Sequence, residues 1–158
     1  MNINIRLVTN KDLPVLQNLF INTIKTICSN DYTPDQIEAW TSSVKNTERW
    51  IFKMNNQFFI VAEHDDKIIG MGSLENYNYL DFMYVHHKYV KKGIASILYQ
   101  NIEKEAIKHN ETFLFSDVSK TAKPFFEKKG FVILHENRFK INNIDIMNYR
   151  MRKELFIQ

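Results

Sequence analysis

The chain has 158 residues, 44% of them apolar and 25% charged, with a formal charge of +3. That length suits one domain, expected over residues 1–158, with enough chain to bury a core. The balance is that of a soluble globular protein, and no apolar run approaches the ~18 residues that would argue for a membrane partner.

Lys and Arg are interleaved with Asp and Glu rather than gathered on a stripe, which argues against a nucleic-acid partner. Cys28 is the only cysteine, so an intramolecular disulfide framework is excluded. The segment Met1 to Arg6 is polar and lacks the apolar run of a secretory leader. The expected setting is a reducing cytoplasm.

Ile3, Ile5 and Leu7 alternate with polar neighbours and predict a first strand. Thr9 or Asn10 then caps a helix on which Leu13, Leu16, Phe20, Ile24 and Ile27 recur at helical spacing. Thr33 before Pro34 marks a second helix start, with Ile37, Trp40 and Val44 on one face. Trp50 to Phe52 is apolar without a clear period. Phe58–Glu63 and Ile68–Leu74 read as a hairpin around Asp65-Asp66, and Tyr79–Val85 extends it to a three-stranded meander. Gly70 and Gly72 weaken the middle strand and suggest a bulge or a close backbone approach.

Ile94 to His109 carries the period of a long helix, and Thr112 to Val118 that of a strand. Ser119 to Lys129 reads as a helix stopped at Gly130. Phe131–Leu134 and Ile144–Met151 close the chain as strands on either side of an Asn142-Asn143 turn. The predicted order is β-α-α-β-β-β-α-β-α-β-β.

The segment Tyr84-Val85-His86-His87-Lys88-Tyr89-Val90-Lys91-Lys92-Gly93-Ile94-Ala95-Ser96 joins a strand to a helix through a basic loop. A helix N-terminus offers unpaired N–H groups and partial positive charge, which suits a phosphate or pyrophosphate. Gly93 would let that backbone approach the ligand without a Cβ.

The chain as a whole resembles the GNAT family of N-acetyltransferases. Val90-Lys91-Lys92-Gly93-Ile94-Ala95 is similar to the family's [Q/R]-x-x-G-x-[G/A] loop. The segment from Ser119 to Phe131 resembles its later N-x-x-A-x-x-[L/F]-Y-E-x-x-G-F pattern, and Ile5-Arg6 with Asp12-Leu13 resembles its opening. Tyr32 to Trp40 resembles a segment of one bacterial branch. The resemblance implies an α+β, α/β/α layered fold with a mostly antiparallel sheet of about 6–7 strands and four helices. It also implies acetyl transfer from the cosubstrate acetyl-CoA to a small-molecule or peptide amine, without metal, and it allows a homodimer.

Residue by residue, the resemblance implies that backbone N–H groups of Lys91, Lys92, Gly93, Ile94, Ala95 and Ser96 bind the CoA pyrophosphate. The backbone of Met83, Tyr84 and Val85 would hold the pantetheine and thioester carbonyl. Ser119, Ala122 and Phe126 would line the far side of that channel, and the amine would enter beside Tyr32 and Trp40. Two positions depart from the pattern. Val90 replaces the usual Gln or Arg, and Phe126 replaces the Tyr that often protonates the departing thiolate. A catalytically impaired CoA-binding or ligand-sensing module of the same fold is therefore an alternative reading.

An amine is mostly protonated at pH 7, so a base or water chain must take its proton. Asp81 is the first candidate, because residues 81, 83 and 85 of a regular strand share a face. Glu63 on the paired strand is the second. Tyr79 is a poor base at neutral pH. His86 and His87 would point to opposite sides of an extended chain, and no His or Cys cluster has ligand spacing, so no metal site is expected. Cys28 ends an apolar helical face and reads as a packing residue.

Overall fold

In the computed structural model, which describes residues 1–156, seven strands form one sheet in the order β1-β2-β3-β4-β5-β7-β6. These are β1 (Asn4–Leu7), β2 (Phe58–His64), β3 (Lys67–Glu75), β4 (Tyr79–Val85), β5 (Phe113–Val118), β6 (Val132–Ile141) and β7 (Ile144–Glu154). Every neighbouring pair is antiparallel except β4 and β5. Five helices cover the sheet: α1 (Leu13–Ile27), α2 (Pro34–Thr41), α3 (Thr47–Asn56), α4 (Ile94–Lys108) and α5 (Lys123–Lys128).

Alternation along β2 sorts the core into two layers. Phe59 and Val61 pack with Leu16, Phe20, Ile37 and Trp50 of α1, α2 and α3. Ile60 and Ala62 pack with Leu98 and Ile102 of α4 and with Phe126 of α5. Helix starts follow the local chemistry. Thr9 and Asp12 form a capping box ahead of α1, and Thr33 and Gln36 form another at α2, where Pro34 opens the helix. The Asp65-Asp66 and Asn142-Asn143 pairs all have positive φ, as two-residue hairpin turns require.

Three boundaries differ from the sequence expectation. The unassigned Trp50–Phe52 stretch is the middle of α3, where Asn46 accepts from the Arg49 N–H and only Trp50 and Met54 are buried. Two buried positions four apart make too short a stripe to read as a period. The helix expected from Ser119 begins only at Lys123, because the Ser119 hydroxyl accepts the Ala122 N–H (3.0 Å) and holds a turn there. β6 continues seven residues beyond Leu134, to Ile141, as a polar and largely exposed edge strand with no alternating pattern.

Gly70 and Gly72 are explained by close packing. A Cβ on Gly72 would lie 2.8 Å from Cδ1 of Ile102, and one on Gly70 would lie 3.0 Å from Cδ1 of Leu98. The missing side chains let α4 settle directly onto β3, and α4 thereby aims its N-terminus at the end of β4.

Candidate active site

β4 and β5 pair only at their start, with Tyr79 opposite Phe115. The Phe115 N–H reaches the Asn78 carbonyl at 2.8 Å, and the Ser116 hydroxyl reaches the Leu80 carbonyl at 2.8 Å. Beyond that point the two strands separate. The cause lies in β4, where Asp81 and Phe82 together stand opposite the single residue Ser73 of β3. This is a β-bulge, and it bends its strand away from the neighbour. The buried Ser73 hydroxyl accepts the Phe82 N–H at 3.1 Å and holds the bulge in place.

The bulge corrects one sequence expectation. Leu80, Met83 and Val85 pack on the α4 side, whereas Phe82 and Tyr84 pack on the side of α1 to α3. Asp81 joins the second group, because its Oδ2 accepts from Gln57 Nε2 (2.8 Å) and pairs with Lys53 Nζ (3.0 Å) of α3. Asp81 and Met83 do not share a face.

Past the bulge, the His86 N–H bonds the Ile69 carbonyl at 2.8 Å. The alternation of an antiparallel ladder then turns the backbone groups of Tyr84 toward β3 and those of Met83 and Val85 into the gap. The Thr23 hydroxyl of α1 confirms this direction by donating to the Val85 carbonyl at 3.0 Å.

A cavity of about 1020 Å³ passes through the gap. It lies at the upper end of ordinary ligand pockets, which suits a long ligand. On the α4 side its walls include Val90, Lys91, Ala95, Ser119, Ala122, Phe125 and Phe126. On the other side they include Ile27, Cys28, Tyr32, Trp40, Tyr84 and Ile146. Residues from both groups expected in the sequence, the CoA set and the amine pair Tyr32 and Trp40, therefore meet in one space.

At the α4 end, Lys91 (φ 61°) and Gly93 (φ 84°) are left-handed. The first intrahelical bond runs from the Ile97 N–H to the Gly93 carbonyl, so the N–H groups of Ile94, Ala95 and Ser96 have no acceptor within the helix. No atom lies within 4 Å of a Cβ built on Gly93, so its role here is the φ angle and an open space above the backbone. Lys91 lines the cavity, whereas Lys92 reaches over the Tyr89 ring at 5.5 Å and Ile94 turns its side chain into the core. His86 and His87 stack at 4.4 Å instead of diverging, because the chain leaves the extended conformation and enters a 3-10 turn at His87. Burial, His87 and Lys88 together push the His86 imidazole below its ordinary range.

On the other side, Tyr32 ties the roof of the cavity together. Its hydroxyl donates to the Met147 carbonyl (2.9 Å) and accepts the Lys120 N–H (3.0 Å). Burial pushes that phenol up to about 12. Burial likewise pushes the Tyr84 phenol well above its ordinary range. Burial also raises the Cys28 thiol, so Cys28 is poorly set up as a nucleophile.

Glu63 is not brought to this space. Its Oε1 is held by Arg6 Nε (3.1 Å) and Asn4 Nδ2 (3.2 Å) at the β1–β2 edge. Asp117, which the sequence analysis passed over, does face it. Its carboxylate receives Arg150 through two bonds (2.7 and 3.0 Å), the Tyr79 hydroxyl (2.8 Å) and Asn137 (2.7 Å). Burial opposes its charge, but these hydrogen bonds outweigh burial and hold the carboxyl below its ordinary range. Its partners come from β4, β6 and β7, so no local motif marked it. Among the described residues, no group of three or more His, Cys, Asp or Glu side chains is arranged to hold a metal ion.

A splayed mixed sheet, a cavity through the splay and an anion-ready helix start at one mouth together define an acyltransferase fold. A profile of the Acetyltransferase (GNAT) domain matches residues 28–153. The uncharacterized N-acetyltransferase YafP of Escherichia coli is 32% identical over 151 residues, which cover 96% of this chain and 95% of that protein. The crystal structure of a GCN5-related N-acetyltransferase (aminotransferase, class-II) from Rhodopseudomonas palustris matches with a TM-score of 0.94 at 28% identity, covering 98% and 97% of the two chains. The paiA N-acetyltransferase from Thermoplasma acidophilum, solved in complex with coenzyme A, shares the fold with a TM-score of 0.81 at 22% identity, covering 98% and 100%. The chain belongs to the GNAT family and is an N-acetyltransferase.

Proposed function

We propose that the protein transfers an acetyl group from acetyl-CoA to a primary amine by direct attack, with both substrates held at once in the cavity that crosses the sheet. The observation that carries this reading is the continuity of that cavity from the Lys91–Ser96 loop to Trp40. The residues fit acetyl-CoA. The unpaired N–H groups of Ile94, Ala95 and Ser96, with Lys91 beside them, suit a pyrophosphate. Ser119, Ala122 and Phe126 face the inward backbone groups of Met83 and Val85 across a slot. A relative of the same fold, paiA, was solved with coenzyme A.

Acetyl-CoA supplies the acetyl group as a thioester. The chain supplies three functions. The gap-facing N–H groups of Met83 and Val85 donate to the thioester carbonyl oxygen as it gains negative charge. Asp81 takes the proton from the amine. Its Oδ2 is occupied by Gln57 and Lys53, which leaves Oδ1 for the cavity. Tyr84 donates a proton to the departing sulfur, a role that Phe126, lacking a hydroxyl, cannot fill. Burial keeps the Tyr84 phenol protonated at physiological pH, so it can serve as a donor. A thiol has a reference pKa near ~8.5, so this last contribution is modest.

The test is amine-dependent release of the CoA thiol by the purified protein. Release that rises with amine concentration and saturates supports the reading. Saturable CoA binding without release from any amine would leave only the ligand-sensing alternative.

A further inference from the structure

The acceptor half of the cavity carries three carboxylates, and each already has a Lys or Arg partner. Asp81 is paired with Lys53 at 3.0 Å, Asp117 with Arg150 at 2.7 Å, and Glu136 with Arg138 at 3.0 Å. Arg49 also lines this half and has no ion-pair partner among the described residues. Glu75 lines a smaller adjoining pocket that shares Arg49, Asp81 and Asp117 with the cavity, and is not among the residues of the cavity itself. The rest of the lining combines apolar and aromatic side chains, Ile27, Tyr32, Trp40 and Ile146 among them, with the polar Asn137 and Asn148 next to Asp117. Tyr32 and Trp40 meet edge to face, with ring centroids 5.3 Å apart.

From this arrangement we infer that the acceptor is a monoamine with an aromatic or large branched apolar body, and that polyamines and aminoglycosides are poor acceptors. The inference rests on the acetyltransferase reading and names its substrate class. A ligand with several positive charges loses hydration on entry and needs one uncompensated carboxylate per charge to replace it. This half of the cavity holds none to spare, and Arg49 repels a second cation. A single ammonium loses its charge to the base before attack, so it requires no lasting counter-ion. Its apolar body gains by leaving water for the Tyr32–Trp40 wall.

The experiment is calorimetric titration of the CoA-loaded protein with tryptamine, 2-phenylethylamine, spermidine and kanamycin at one ionic strength. Both aromatic amines are expected to bind at least tenfold more tightly than spermidine or kanamycin. Trp40→Ala is expected to lose at least tenfold for tryptamine with CoA affinity unchanged, and Trp40→Phe to restore most of it. Arg49→Glu, at an exposed position, is expected to raise spermidine affinity at least threefold. Spermidine or kanamycin binding as tightly as tryptamine, or no binding of either aromatic amine, would overturn the inference. Thiol-release assays on the same amines separate the two levels. Efficient acetylation of spermidine overturns the substrate class and keeps the enzyme reading. Tight aromatic binding without thiol release does the reverse.

Discussion

Asp81 and Met83 lie two positions apart on β4 yet face opposite sides of the sheet, because the bulge opposite Ser73 inserts one extra residue between them. That insertion directs the Met83 backbone into the β4–β5 gap and the Asp81 carboxylate toward α3. A regular strand would have put both side chains on the cosubstrate side. The bulge thus divides the labour of the two faces and opens the passage between them.

Asp81→Asn keeps the size of the side chain and removes the proton acceptor. We expect kcat to fall by about a hundredfold at pH 7, within the range for losing a general base. The KM for acetyl-CoA should stay within about twofold, because Asp81 is absent from the α4 end of the cavity. Steady-state kinetics with both substrates varied measure this, and an unchanged kcat would remove the assignment.

Tyr84→Phe deletes one hydroxyl from a wall that remains aromatic. A thiolate leaves tolerably without an acid, so kcat should drop by only about tenfold, with acetyl-CoA affinity unaltered. Adding Phe126→Tyr to that variant should recover part of the loss, because Phe126 faces the same slot from α5. A double variant no better than Tyr84→Phe, together with weakened CoA binding in both, would mean that Tyr84 acts only in packing.

Lys91 and Lys92 are adjacent but unequal. Lys91 faces the cavity, whereas Lys92 leans over the Tyr89 ring. Lys91→Glu should weaken acetyl-CoA binding by about tenfold or more, and Lys92→Glu by clearly less. Titration at two salt concentrations should show the gap between the variants narrowing as salt rises, since exposed charges are screened.

Asp117 sets a pH dependence of stability. Its carboxyl is held below the ordinary value by Arg150, Tyr79 and Asn137, which outweigh burial. A group whose folded value is depressed stabilises the fold above its unfolded value near ~3.9, and that contribution fades as pH falls through the folded value. Asp117→Asn should therefore cost about 1–2 kcal/mol at pH 7, at the lower end for a charged network because the site is partly exposed. The difference from the parent should shrink below about pH 4. Urea unfolding at pH 7 and pH 3 reads both values.

Much of this site was legible in the sequence because it is local. The loop ahead of α4, the Thr33-Pro34 helix start and the hairpin turns are each written within a few residues, and the structure forms each of them there. Gly70 and Gly72 signalled close packing, which Leu98 and Ile102 of α4 explain. What failed depended on distant partners. The face of Asp81 depends on Ser73 and on α3, and an extra residue in a strand leaves no mark in its own composition. The Asp117 network joins residues from four strands, with Tyr79 and Asp117 separated by 38 positions. Glu63 looked catalytic beside Asp81 only until Arg6, from β1, claimed it. β6 was truncated because an exposed edge strand has no buried face to impose alternation.

The central claim is that both substrates occupy the cavity together and that the acetyl group passes directly between them through the gap in the sheet. Initial rates with acetyl-CoA and amine both varied test it most directly. Direct transfer predicts double-reciprocal lines that intersect, with both substrates required before any thiol is released. Parallel lines, with a burst of thiol before amine is added, would place the acetyl group on the protein first and contradict the account.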